Sequence, residues 1–197
     1  MKERIYIYDF DGTLTRRDSL LDFIRYVRGE RSLLFSLLLF SPLLMLMKLR
    51  LYSNGRTKER LFAHHFKGMS ISEFDNHCAK YAFSHPDLLL DAARKAVNQV
   101  TTNGYRVFVV SASVDRWVSP FFRDMPDVTV IGTQIEVKNG LVTGRFSTPN
   151  CYGAEKVRRI QALLPHREHY ELIAHGDSRG DKEMLDDADQ SYFRPFR

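Results

Sequence analysis

The chain has 197 residues, enough for one well-buried domain with room for a small insertion. Its hydrophobic fraction of 44% and charged fraction of 27% are those of a folded, water-soluble protein and exclude a disordered one. The net charge of +5 is unevenly placed: residues 14–68 hold 11 Lys/Arg and 4 Asp/Glu, a local 11 − 4 = +7, leaving −2 elsewhere. An evenly basic chain would point to nucleic acid. A basic segment on a slightly acidic body points instead to a local surface for a membrane or an anionic substrate, with no nucleic-acid partner.

The first element is a strand over Arg4–Tyr8, which runs directly into Asp9-Phe10-Asp11-Gly12-Thr13. Residues 14–85 then read as helices with no clear strand. Within them Ser32–Met47 is free of charge and bounded by Arg31 and Lys48. It is shorter than the ~20 apolar residues a membrane span needs. Ser41-Pro42 reads as an N-cap and first helical residue, which divides the run into two helices. Three readings stay open: a buried helical hairpin, a membrane-surface patch flanked by Arg25, Arg28, Arg31, Lys48 and Arg50, or a true span. Residues 86–102 form a helix stopped at Asn103-Gly104, followed by strands over Tyr105–Val110 and Val128–Ile131. Thr133–Val137 and Leu141–Arg145 flank Asn139-Gly140, a type I′ hairpin signal. Residues 153–164 form an amphipathic helix, and Tyr170–Ala174 a last strand. Short apolar strands alternating with helices predict an α/β fold. Its core is a doubly wound, Rossmann-like parallel sheet, with an inserted helical cap and a short β-hairpin. The expected domains are 1–13 with 86–197 as the core and 14–85 as the cap.

The chemistry gathers at strand ends, where open parallel sheets bind ligands. Asp9 and Asp11 would repel one another there, and a divalent cation with a preference for hard oxygen ligands, such as Mg²⁺, relieves that. A calcium loop would need its glycine at the sixth position, whereas Gly12 stands fourth from Asp9. Ser111 and Ser113 end the second strand. Ser111 is placed to hold a phosphate oxygen and Ser113 to cap the following helix. Lys156 lies in the first turn of its helix, from which its amine reaches across the strand ends; a solvated face is the plain alternative. Asp177 and Asp181 follow the last strand at a spacing that turns both toward one point. Cys78 and Cys151 are far apart and read as free thiols of a reducing compartment. The N-terminus has no apolar run and does not read as a secretory signal. The expected location is cytoplasmic, with contact at the inner membrane surface if the apolar run is a lipid patch.

D-x-D-G-T, a strand-end serine, a lysine and G-D-x-x-x-D, in this order, resemble the haloacid dehalogenase superfamily of phosphohydrolases. The helical insertion and the hairpin resemble its phosphoserine-phosphatase-like subgroup with a type-1 cap (subfamily IB). The resemblance implies a Mg²⁺-dependent phosphatase that acts on a phosphomonoester. It casts Asp9 as a nucleophile forming an aspartyl-phosphate, and Asp11 as acid and base. It casts Lys156 as a charge-neutralising partner. It implies a metal site of Asp9, Asp11 (through its carbonyl), Asp177 and Asp181, and a substrate site of Gly12, Thr13, Ser111, Ala112, Lys156 and Asp18.

Two departures bear on substrate. Ser111-Ala112-Ser113 stands where phosphoserine phosphatases usually have Ser-Gly-Gly, and Asp18 stands where they have a substrate-reading Glu. The apolar, basic cap more resembles a bacterial branch that includes phosphatidylglycerophosphatase C. That implies a lipid or other amphiphilic phosphomonoester such as phosphatidylglycerophosphate, the alternative being phosphoserine or another small metabolite. A receiver-like module or a catalytically dead phosphate-binding core is the non-enzyme alternative, although all four motifs are intact. Arg16–Asp18 also reads as a solvated first turn capped by Asp18. His64 and His65 are expected to pack within the cap, and His175 is a candidate to tune the adjacent acids.

Overall fold

The computed structural model describes residues 2–49 and 51–197; Arg50, one of the flanking cations, lies outside them. Five strands, β1 (Glu3–Tyr8), β2 (Arg106–Val114), β3 (Val128–Thr133), β6 (Tyr170–Gly176) and β7 (Gln190–Phe193), form a parallel sheet in the order β3-β2-β1-β6-β7. β4 (Ile135–Lys138) and β5 (Leu141–Phe146) form a separate antiparallel hairpin.

Alternation along the strands builds two cores. Ile5 and Ile7 share one face with Phe108, Val110, Leu172 and Ala174, and that face is covered by α8 (Ala154–Leu163) and α9 (Lys182–Asp187). Tyr8, Val107 and Val109 point to the opposite face. There they join Phe23, Phe62, Phe66, Phe74, Tyr81 and Trp117 in one aromatic-rich cluster. Most of those rings come from helices between β1 and β2: α1 (Ser19–Arg28), α2 (Glu30–Leu39), α3 (Ser41–Lys48), α4 (Asn54–Phe66) and α5 (Ile71–Ser84). Asp18, Ser53 and Ser70 cap α1, α4 and α5, each accepting from a backbone N–H.

Several elements differ from the sequence expectation. The helix expected over 86–102 is broken into a turn at Pro86–Leu88 and α6 (Asp91–Thr102). The chain runs extended between them because Leu90 N donates to Leu14 O at 2.8 Å, tying the return of the insertion to its exit. Thr133 ends β3 instead of opening the hairpin. The expected turn is present, with Asn139 and Gly140 at φ 51° and 74°. β7 was not anticipated: it is short and exposed on both faces, so no hydrophobic period marks it.

The largest correction concerns Ser32–Met47. Ser41 is the first residue of α3 and not a side-chain cap. Only Leu33 and Ser36 are buried in α2, and no residue of α3 is. The buried-hairpin reading therefore fails. Among the described residues no single helix is long and apolar enough to cross a membrane; α2 and α3 reach that composition only together, bent by 64°.

Candidate active site

β1 occupies the middle of the sheet, with β2 and β6 on either side. Its carboxyl end is thus the point where the connections diverge and leave a crevice. The chain there makes a tight turn over Phe10–Leu14 in which Gly12 takes φ 87°. The turn is held by Gly12 N donating to Thr15 Oγ1 at 3.0 Å. It opens into a cavity of about 350 Å³ whose walls include Asp9, Asp11, Asp18, Ala112, Lys156, Asp177 and Asp181.

Lys156 anchors the floor. It is 1% exposed, so the solvated-face alternative fails. Its ammonium donates to Asp9, to Asp181 Oδ1 at 2.7 Å and to Val110 O at 2.8 Å. Burial opposes its charge, yet Asp9 and Asp181 hold its pKa above the ordinary lysine value. Asp181 is fixed by three further donors: Asp177 N at 3.1 Å, Ser178 N at 2.9 Å and Ser178 Oγ at 2.9 Å. Burial would raise its pKa, but Lys156 and these bonds bring it below the ordinary aspartate value. Asp9 has no such cradle. Burial, with Asp181 and Asp11 nearby, raises it to about 7 in spite of Lys156.

Oxygen atoms of Asp9, Asp177 and Asp181 lie within 4.8 Å of one another. Three carboxylates face one ammonium, and Asp177 Oδ1 is buried without a hydrogen-bond partner. Hard oxygen donors, excess negative charge and an unsatisfied lone pair fit a small divalent cation. The turn is shaped around this cluster: a Cβ on Gly12 would stand 2.5 Å from Asp177 Oδ2. The Asp11 carboxylate is not part of it.

Asp11 sits in a different environment. Its Oδ1 accepts from Ser19 N at 2.7 Å and its Oδ2 from the Ser113 hydroxyl at 2.5 Å. Ser19 Oγ in turn donates to Ser113 Oγ at 3.0 Å and accepts from Trp117 Nε1 at 3.1 Å. Burial, then the charge of Asp18, raises the Asp11 pKa; Lys58 and the two serines pull the other way. Two carboxylates one residue apart are thus held by different partners and point to different tasks.

The remaining predicted residues divide. Asp18 both caps α1 and lines the cavity, as does Ala112 the latter. Gly12, Thr13 and Ser111 are not among the residues that line it. Ser111 is fully buried within β2, which runs through Val114, and its Oγ accepts from Ser113 N at 3.0 Å. Ser113 does not cap a helix: the residue preceding α7 (Asp115–Val118) is Val114, and the Ser113 hydroxyl is taken by Asp11. His175 points away from the acids, stacked between Tyr8 and Tyr192 at centroid distances of 4.3 and 5.0 Å, with Nδ1 3.2 Å from Ile7 O. His64 is exposed at the end of α4 and His65 buried there, neither lining the cavity. Ser19, Lys58 and Tyr152 were missed. Ser19 and Lys58 belong to helical segments where polar residues read as solvated, and only the tertiary arrangement turns them inward.

Comparison with known proteins identifies the family. A family model described as haloacid dehalogenase-like hydrolase matches residues 6–186. Protein CicA of Caulobacter vibrioides is 31% identical over 192 residues, covering 96% of this chain and 85% of its own. A Bordetella pertussis Tohama I protein of unknown function has a similar structure, with TM-score 0.78, 21% identity, and 97% and 89% of the two chains covered. A phosphoserine phosphatase solved as a phospho-aspartyl intermediate analogue gives TM-score 0.63 at 17% identity, covering 97% and 86%. The match along nearly the whole chain, with the acids gathered at the end of β1, shows that this protein belongs to the haloacid dehalogenase-like hydrolases.

Proposed function

We propose that the protein is a phosphomonoester hydrolase acting through an aspartyl-phosphate on Asp9. The observation that carries this reading is the separation of the two acids: Asp9 lies on the Lys156 ammonium, and Asp11 lies in a hydroxyl cradle. In the first step an Asp9 oxygen attacks phosphorus and the ester P–O bond breaks. Asp11, whose pKa burial raises, delivers its proton to the leaving oxygen. In the second step Asp11 takes a proton from water, whose oxygen attacks phosphorus and frees Asp9 and inorganic phosphate. Lys156 offsets the charge of a dianionic ester approaching two carboxylates. Asp9, Asp177 and Asp181, with the Asp11 carbonyl, are the residues to hold Mg²⁺, which when bound supplies electrostatic stabilisation of the transferring phosphoryl group. We assign the phosphate contacts to Gly12, Thr13, Ser111, Ala112 and Lys156. The buried, unpartnered Thr13 Oγ1 supports a small rearrangement of this turn on binding.

We divide the chain as core 1–13 and 86–197 with cap 14–85, since α4 and α3 supply the upper cavity wall. That wall is apolar on one side, with Leu20, Leu21, Leu44, Met47 and Leu61. It favours an amphiphilic substrate, of which a lipid phosphomonoester such as phosphatidylglycerophosphate is one form. Fold likeness to phosphoserine phosphatase favours the second reading, a small-metabolite phosphatase. The experiment is a hydrolysis screen with Mg²⁺ or with EDTA, comparing para-nitrophenyl phosphate, phosphoserine, sugar phosphates and phosphatidylglycerophosphate in detergent. Release of phosphate that needs Mg²⁺ and is blocked by beryllium fluoride supports the mechanism. Absence of release from every ester overturns it.

A further inference from the structure

α2, α3 and the residues just after α3 present an apolar face that, among the described residues, nothing covers. Leu38 is 73% exposed, Met45 67% and Leu51 72%, and Leu34, Phe35, Leu39, Leu46 and Leu49 are also open to solvent. Apolar side chains grouped in this way mark an interaction surface. Two further observations identify what meets it. The first is charge. Arg31 lies in the first turn of α2 and Lys48 ends α3, and both are exposed, as are Arg56 and Arg60 of the adjacent α4. Arg25 pairs with Glu30 at 2.5 Å, but among the described residues those four cations form no ion pair. A second copy of the chain would bring like charges together around its apolar contact, whereas an anionic bilayer complements both parts of the face. The second is continuity with the site. α3 does not stop at the surface: its Leu44 and Met47 are walls of the cavity that holds Asp9, Asp11 and Lys156. One helix therefore has an apolar outer side and an apolar inner side, joining the exposed face to the acids.

We infer that the α2–α3 face docks on an anionic lipid surface and that α3 guides the apolar tail of a lipid phosphomonoester from that surface into the cavity. The docking stands on the exposed face alone; the guiding half rests on the phosphomonoesterase reading above. The bend of 64° between α2 and α3 suits helices lying along an interface, each being too short to cross it.

The test uses the full chain with phosphatidylcholine vesicles, with and without phosphatidylglycerol. The wild type is expected to sediment with the anionic vesicles, more weakly with neutral ones, and less as salt rises. Leu38→Glu with Met45→Glu should weaken sedimentation by roughly tenfold or more, because both side chains would have to leave the apolar layer. Since neither residue lines the cavity, the double variant should keep the wild-type melting midpoint and its rate on para-nitrophenyl phosphate. Its hydrolysis of phosphatidic acid carried in the same vesicles should fall with its binding. Arg31→Glu with Lys48→Glu gives a second measure that leaves the apolar side chains intact, and should lose the preference for anionic vesicles. Docking is overturned if the wild type ignores every vesicle or if both variants sediment like it. It is also overturned if the wild type is a dimer that Leu38→Glu with Met45→Glu converts to monomer, since a second copy would then cover the face. Unchanged hydrolysis of vesicle-borne phosphatidic acid by a variant that no longer binds overturns the guiding role. Inactivity of the wild type on para-nitrophenyl phosphate overturns the phosphatase reading, and sedimentation reads docking separately.

Discussion

The Ser113 hydroxyl donates to Asp11 Oδ2 at 2.5 Å, across 102 positions of sequence. A hydrogen bond to an ionised carboxylate favours its charged form, so this contact pulls the Asp11 pKa down against burial. Ser113→Ala removes that pull and raises the pKa further. Asp11 then keeps its proton to higher pH, and the limb of the kcat/KM profile that reports its deprotonation moves upward. Profiles of wild type and variant on one soluble ester measure it; coincident limbs would remove Asp11 from proton transfer.

Asp9→Asn is expected to reduce turnover by roughly 10,000-fold or more, the scale seen when an essential nucleophile is lost. The amide oxygen can still accept from Lys156, and Asp181 and Val110 O remain, so the fold should persist. Phosphate release and circular dichroism on the same sample separate the two effects. Activity above a tenth of wild type would rule out the role.

Lys156→Ala affects stability as well as chemistry. It leaves Asp9 and Asp181 buried without their cation, and breaking a buried pair from one side typically costs about 3–5 kcal/mol. The rate loss from removing one such electrostatic contact is roughly 100- to 1,000-fold. Lys156→Arg keeps the charge and should retain more activity than Lys156→Ala, although a guanidinium has little room in a fully buried site. Urea unfolding with and without Mg²⁺ checks the first point: the cation should recover part of the loss in Lys156→Ala.

The acids also set how stability depends on pH. Asp9 moves from 3.8 to about 7 on folding without a cation, so the folded state binds more protons than the unfolded one between these values. Stability from this group is present at low pH and is lost as pH rises toward 7. Asp181 has the opposite sign, since its folded pKa is lowered: its contribution is present above the unfolded value and lost as pH falls through the folded one. Mg²⁺ bound at the proposed site would compete with the proton on Asp9. The rise in melting midpoint on replacing EDTA by Mg²⁺ should therefore be larger at about pH 8 than at about pH 5. An equal rise at both would place the cation elsewhere.

Gly12→Ala puts a methyl group 2.5 Å from Asp177 Oδ2, at a residue with φ 87°. The left-handed backbone alone costs about 1–2 kcal/mol in a residue with a side chain. Asp177 must also move, so calorimetry should show weaker Mg²⁺ binding as well as a lower melting midpoint.

What could be read from the sequence follows from how local each signal is. Asp9, Asp177 and Asp181 stand at strand ends recognisable from a few residues of apolar run, so their convergence was foreseeable. Ser111-Ala112-Ser113 was foreseeable as a strand end, but not which hydroxyl faces Asp11. That depends on β2 continuing through Val114 and on α1 bringing Ser19 alongside. The charge-free run from Ser32 to Met47 has the composition of a core, and composition does not say which helices have partners. β7 has no buried face, and it is placed by its pairing with β6 and by Tyr192 stacking on His175.

Ser19 contributes one more consequence. Its N–H holds one Asp11 oxygen, its hydroxyl meets the serine that holds the other, and Trp117 pins that hydroxyl from the opposite side. Ser19 is the first residue of α1, and Phe23, one turn on, stacks against Trp117 with centroids 5.2 Å apart. The orientation of the Asp11 carboxylate is thereby tied to the seating of the first inserted helix, through Ser19 and Trp117.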